Sequence, residues 1–190
     1  MGAVLLIIGG AMGLAAAPTL IIPPRDVVDP VMVHVLDYGY HSRLVLPAEH
    51  GGLVAFAYGE YRWFARGKTD WHRVPAVLFW PTPGTLGLDE AGPMPGGTTL
   101  DHLSRRARRM SFEVESWRAA ALRRRLEERF RAGGEPIRNP PMGRIQFVPD
   151  PAGYTFWHTC NHAVAAWLRE LDCRVIGWPV MSNFRLRAEG

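Results

Sequence analysis

Hydrophobic positions fall along the chain in short runs, most of them strand-sized, punctuated by glycine and proline. Val31 to Asp37 is rich in β-branched residues, and Tyr38-Gly39-Tyr40 supplies a turn. His41 to Leu46 then alternates up to Pro47, so the pair predicts a hairpin. Leu53 to Tyr58 is a further apolar run closed by Gly59. Ala76 to Trp80 is another, stopped by Pro81 and Pro83. Residues 82–97 are rich in glycine and proline and predict a loop. Met110, Phe112 and Val114 alternate with polar neighbours, as in a strand with one wet face.

Leu122, Leu126 and Phe130 recur every four residues and predict a helix from Trp117 to Arg131. Ser116 is its expected N-cap and Gly133-Gly134 its end. Arg123-Arg124-Arg125 is expected to face away from that stripe, into solvent. Gly143 to Val148 predicts a short strand. Thr159 is then placed to cap a helix from Cys160 to about Asp172, with a last strand at Arg174-Val175-Ile176. The fold class is α+β: an antiparallel sheet or barrel packed against the helix that bears Cys160.

The start of the chain follows a different pattern. Met1 to Pro24 carries no charge, and Arg25 is the first charged residue. Such a segment is about long enough to cross a bilayer as an apolar helix. It also resembles a secretory signal, with Ala15-Ala16-Ala17 offering small residues for cleavage. The expected organisation is therefore a signal or membrane anchor over 1–24, a linker over 25–30 and one domain over 31–190. The protein is expected in the cell envelope, exported or anchored with its domain on the periplasmic side.

Composition adds limits. The 190 residues are 47% hydrophobic and 21% charged, enough for one real core and too few charges for a disordered chain. The net charge of +4 comes with a dense arginine run from Arg105 to Arg144. No zinc-finger, helix-turn-helix or RNA-stacking motif accompanies it, so nucleic acid is not the expected partner. The sequence carries no signal for an oligomeric state.

Chemistry concentrates at Trp157-His158-Thr159-Cys160-Asn161-His162. A cysteine in the first turn of a helix meets unpaired N–H groups and the positive end of the dipole, which favour a thiolate. Cys160, Val164, Trp167 and Leu171 share one helical face, so the thiol is expected on the packed side. A helix rising about 1.5 Å per residue sets Cys160 and Cys173 roughly 15–20 Å apart. That exceeds the reach of a disulfide, about 7 Å between Cα atoms. His41, at the head of a strand, is the candidate base for a Cys160 nucleophile. Glu60 is the candidate for orienting that histidine, with Asp37 and Tyr58 behind it.

His41-Ser42-Arg43-Leu44-Val45-Leu46-Pro47 resembles the "HTGLVLP" strand of an uncharacterised bacterial envelope family of the urease-region type. Phe56-Ala57-Tyr58-Gly59-Glu60 resembles its "FGWGD" segment, and Thr159-Cys160-Asn161 its "NTCNTWTA" motif. The resemblance spans about Val31 to Ile176. It implies the circularly permuted NlpC-like branch of the papain fold, with peptidase, amidase, acyltransferase or thioesterase activity. It carries Cys160 over as nucleophile and His41 as base. Glu60 stands where that family often has aspartate.

The expectation is a cysteine hydrolase, amidase or acyltransferase acting on a peptide, cell-wall or acyl substrate, without a cofactor. The alternative is a non-catalytic, membrane-tethered binding module of the same fold, meeting a peptide or glycan through an aromatic, basic surface. A third reading makes His41, His158, Cys160 and His162 zinc ligands. Helical phase opposes it, because His162 sits about 200° around the helix from Cys160.

Overall fold

The computed structural model describes residues 17–68, 80–93, 98–104 and 107–187. Antiparallel hairpins build most of it. The predicted first hairpin forms from β2 (Pro30–Asp37) and β3 (Ser42–Pro47), with Tyr38 N–H donating to the His41 carbonyl across the turn. β4 (Leu53–Glu60) pairs with β3, and β6 (Arg108–Glu115) pairs with β2. Then β5 (Thr82–Ala91), β8 (Gln146–Tyr154) and the short β7 (Ile137–Arg138) extend the sheet. Its strand order is β6-β2-β3-β4-β5-β8-β7, and every neighbouring pair is antiparallel. With α1 (Tyr61–Phe64), α2 (Thr98–Leu103), α3 (Ser116–Ala132) and α4 (Cys160–Glu170), the architecture is α+β.

Strand alternation divides the core between two faces. Val33, Val35, Leu44, Leu46, Val54, Phe56, Leu86, Met110, Phe112 and Val114 point to one side. There they meet the stripe Leu122, Leu126 and Phe130 of α3 and Val164, Trp167, Leu168 and Leu171 of α4. On the other side Leu36, Val45, Ala55 and Ala91 pack on Leu103 of α2. Ala57, Ile145 and Phe147 form a separate patch with Ala65 just after α1. Each fully buried leucine or isoleucine in these clusters contributes about 1.5–3 kcal/mol.

Four sequence expectations change. Residues 82–91 are not loop but β5, an interior strand between β4 and β8. Its glycines are close-approach positions: a Cβ on Gly84 would lie 2.2 Å from the Ala152 carbonyl, and one on Gly87 would lie 2.8 Å from Ile145 and Phe147. Arg123 is not solvated: it is buried and its guanidinium meets Glu49 and Glu127. Ser116 does not cap α3; Glu115 holds the cap position, and the Ser116 hydroxyl donates to Asp29. The Ala76 to Trp80 strand lies outside the described residues except for its exposed last member, Trp80.

The fourth change concerns the start of the chain. Residues 1–16 lie outside the described residues. Thr19–Ile22 forms β1, the middle strand of a second sheet ordered β10-β1-β9, with β9 (Arg174–Ile176) antiparallel to it and β10 (Phe184–Leu186) parallel. Ile21 is fully buried in the main core. The end of the apolar run therefore belongs to the folded domain, not to a leader reaching Pro24. The expected linker is also tied down, because Val28 and Asp29 donate their N–H groups to the Glu115 carboxylate. No helix among the described residues is long and apolar enough to cross a membrane.

Candidate active site

α4 begins where the sequence places it. Thr159 is its N-cap and accepts from His162 N–H, while its hydroxyl also meets His162 Nδ1 at 2.8 Å. Cys160, Val164, Trp167 and Leu171 are all buried, so the thiol does lie on the packed face. His162 is half-buried on the other side of the helix. Cys160 and Cys173 are both free, and Cys173 is a core residue.

The helix is fastened to the sheet by residues that the pattern did not single out. Ser42 Oγ donates to Asn161 Oδ1 at 2.8 Å, and both side chains are fully buried. Asn161 Nδ2 donates in turn to the Val180 carbonyl at 3.1 Å. This polar link presses the start of α4 against the head of β3. The Cys160 thiol donates to the Tyr40 carbonyl at 3.7 Å. The N–H groups of Asn161, Ser42 and Cys160 and the Tyr154 hydroxyl all act on the sulfur in the direction of a thiolate. Burial outweighs them and pushes the thiol up to about 11. The helix-terminus effect that the sequence points to is present, but desolvation is larger. Burial and the neighbouring Cys160 also hold Tyr154 well above the ordinary phenol range.

His41 is turned the other way. Ser42 faces α4, so the side chain one position earlier leaves the strand on the opposite face. Its ring packs 4.7 Å from Phe64 and 6.3 Å from Tyr38, centroid to centroid. Phe64 belongs to the patch with Ala57 and Phe147, and Tyr38 packs against Leu36 and Val45. A Cβ on Gly59 would lie 2.3 Å from the Phe64 ring, so that glycine makes room for the bed His41 rests on. Both His41 ring nitrogens are buried without a hydrogen-bond partner. Burial, with the Arg43 guanidinium next, lowers this imidazole to about 3. The structure therefore brings the backbone of residues 40–42 to the Cys160 sulfur, but not the His41 imidazole.

The three candidate orienting groups are engaged elsewhere. Glu60 is buried and caps α1, accepting from Trp63 N–H at 2.7 Å. Asp37 pairs with Arg108 and accepts from Gly39 N–H and from the Ser182 hydroxyl. The Tyr58 hydroxyl donates to the Ala152 carbonyl at 2.7 Å, and its ring packs against His158. His158 Nδ1 in turn meets the Gly153 carbonyl at 2.9 Å. Among the described residues, no group of three or more His, Cys, Asp or Glu is arranged to hold a metal ion.

Sequence reasoning missed Ser42, Asn161 and Tyr154. Ser42 and Asn161 each adjoin a residue that it chose, one position on. Tyr154 has no signal in periodicity, because it reaches Cys160 through the fold. Comparison with known proteins finds no matching family model, no matching curated protein and no matching solved structure.

Proposed function

We propose that this domain is a non-catalytic module of the cell envelope, held at the membrane by its apolar N-terminal segment and working through its surface. The observation that carries this reading is the separation of the two chemical groups. The thiol is buried and pushed up to about 11, and the His41 imidazole, just before β3, packs on Phe64 and Tyr38 with both nitrogens unpartnered. A nucleophilic cysteine needs a base within hydrogen-bond reach or a lowered pKa, and neither supports catalysis at Cys160. The Ser42–Asn161 link then reads as a structural clasp.

The second reading is the permuted papain-like cysteine hydrolase, amidase or acyltransferase, with Cys160 as nucleophile, His41 as base and Glu60 as orienter. One observation favours it. Four donors converge on Sγ at a capped helix start, the kind of cluster that stabilises an oxyanion. It requires His41 to leave its place between Phe64 and Tyr38.

An electrophilic thiol probe separates the two in the full chain at neutral pH. The module reading expects Cys160 to label no faster than an ordinary buried thiol, with the same rate in His41→Ala. Fast labelling at Cys160 that His41→Ala abolishes would establish the hydrolase reading instead.

A further inference from the structure

Three aromatic rings form a cluster beside the start of α4. Phe156 packs edge-on to Trp157 at 5.1 Å and to Trp178 at 5.3 Å, and the two indoles stack at 5.5 Å. Trp157 is 71% exposed, although an indole of that size normally buries most of its surface. Ile176 and Met181, two residues before Trp178 and three after it, are also exposed, at 38% and 43%. The core does not use these side chains.

The position of the cluster says what it meets. Gly177, next to Trp178, lies against Pro18: a Cβ there would be 3.2 Å from the Pro18 carbonyl. Asn183 Nδ2 donates to the Ala17 carbonyl at 2.6 Å. The loop that carries Trp178 and Met181 thus grips the chain just after the uncharged residues 1–16. Register adds Leu20 between Ile176 and Arg185 in the small sheet. Residues 173–187 contain Arg174, Arg185 and Arg187 and no acidic residue, and residues 153–168 contain no acidic residue either. A tryptophan cluster on segments whose only charged side chains outside histidine are arginines suits the headgroup level of a bilayer with anionic lipid.

We infer that Phe156, Trp157, Trp178 and Met181 form a membrane-facing platform that seats the domain on an anionic phospholipid surface where its apolar N-terminal segment meets it. This rests on the proposed membrane attachment and names the partner of that surface.

The test uses the full chain in phosphatidylcholine–phosphatidylglycerol vesicles carrying brominated acyl chains, which quench tryptophans at the interface. Wild type is expected to be quenched, and Trp157→Ala/Trp178→Ala to lose most of that quenching. Trp117→Ala is the control: Trp117 is also exposed, but on α3 under the Arg118 guanidinium, and its loss leaves the quenching in place. Should the double variant fold poorly, Met181→Asp in the exposed loop is expected to reduce quenching of the remaining tryptophans. Quenching unchanged in both platform variants overturns the inference. Vesicle association without quenching overturns the platform and leaves the attachment standing, whereas no association overturns both. Loss of binding to soluble cell-wall glycan in the double variant, with lipid quenching intact, would make the cluster a sugar-stacking surface and also overturn it. Fast labelling of Cys160 would remove the non-catalytic reading without touching this one.

Discussion

At the scale of single residues, burial favours the neutral imidazole at His34, His41 and His162, most strongly at the first two. Burial lowers His41 to about 3 and His34 to about 4, with Arg43 and Arg109 acting in the same direction. The unfolded chain binds these protons near 6.5, so in the window between it holds more protons than the native state. Stability is therefore fully present above about pH 6.5 and falls as the pH drops toward 4. His41→Phe keeps a ring between Phe64 and Tyr38 and removes two unpartnered buried nitrogens. Urea denaturation should find it as stable as wild type or about 1 kcal/mol more stable at pH 7, with a shallower loss toward pH 4. Asn161→Ala acts oppositely: it strands the buried Ser42 hydroxyl and the Val180 carbonyl, and a cost of about 1–3 kcal/mol is expected from the same titration.

At this scale the sequence singles out Cys160 and His41 but not the face of the sheet that His41 takes. Leu44, Val45 and Leu46 are all apolar and all buried, so β3 reads as hydrophobic on both faces. Nothing in such a run tells which face His41 takes. The Ser42–Asn161 bond decides it, and that bond exists only in the fold. The thiol was legible as a residue at a helix start on a packed face. Its protonation was not, because the desolvation that dominates it comes from strands far away in sequence.

Among elements, those with clean periodicity were legible: the β2–β3 hairpin, β6, the α3 stripe and α4 with its Thr159 cap. β5 was not. Gly84 and Gly87 read as loop residues, but they are small because Tyr58, Ala152, Ile145 and Phe147 lie against them. Gly84→Ala would press a methyl onto backbone that cannot move aside. Thermal unfolding should show it destabilised by about 3 kcal/mol, against a smaller loss for Gly87→Ala, where side chains can shift. A residue 82–91 segment that tolerated both changes would be a loop after all.

For the whole molecule, the boundary of the domain matters most. β1 joins β9 and β10 and sends Ile21 into the same core as α3 and α4. A chain starting at Ala17 should unfold cooperatively. One starting at Pro23 loses the central strand of the small sheet together with a fully buried isoleucine. Removing a buried isoleucine side chain alone costs about 2–5 kcal/mol, so circular dichroism should show a markedly lower and broader transition. The apolar composition of residues 1–24 hid this boundary, because a strand entering a core and a leader leaving it are equally hydrophobic.

Cys160 is a buried thiol that the fold holds apart from the His41 imidazole. Its titration tests this most directly: thiolate absorbance followed against pH in a Cys173→Ala background, with and without His41→Ala. Cys160 is expected to stay protonated through neutral pH, to ionise at about 11 and to do so at the same pH when His41 is replaced. A thiolate already formed at neutral pH, and lost on replacing His41, would contradict that separation.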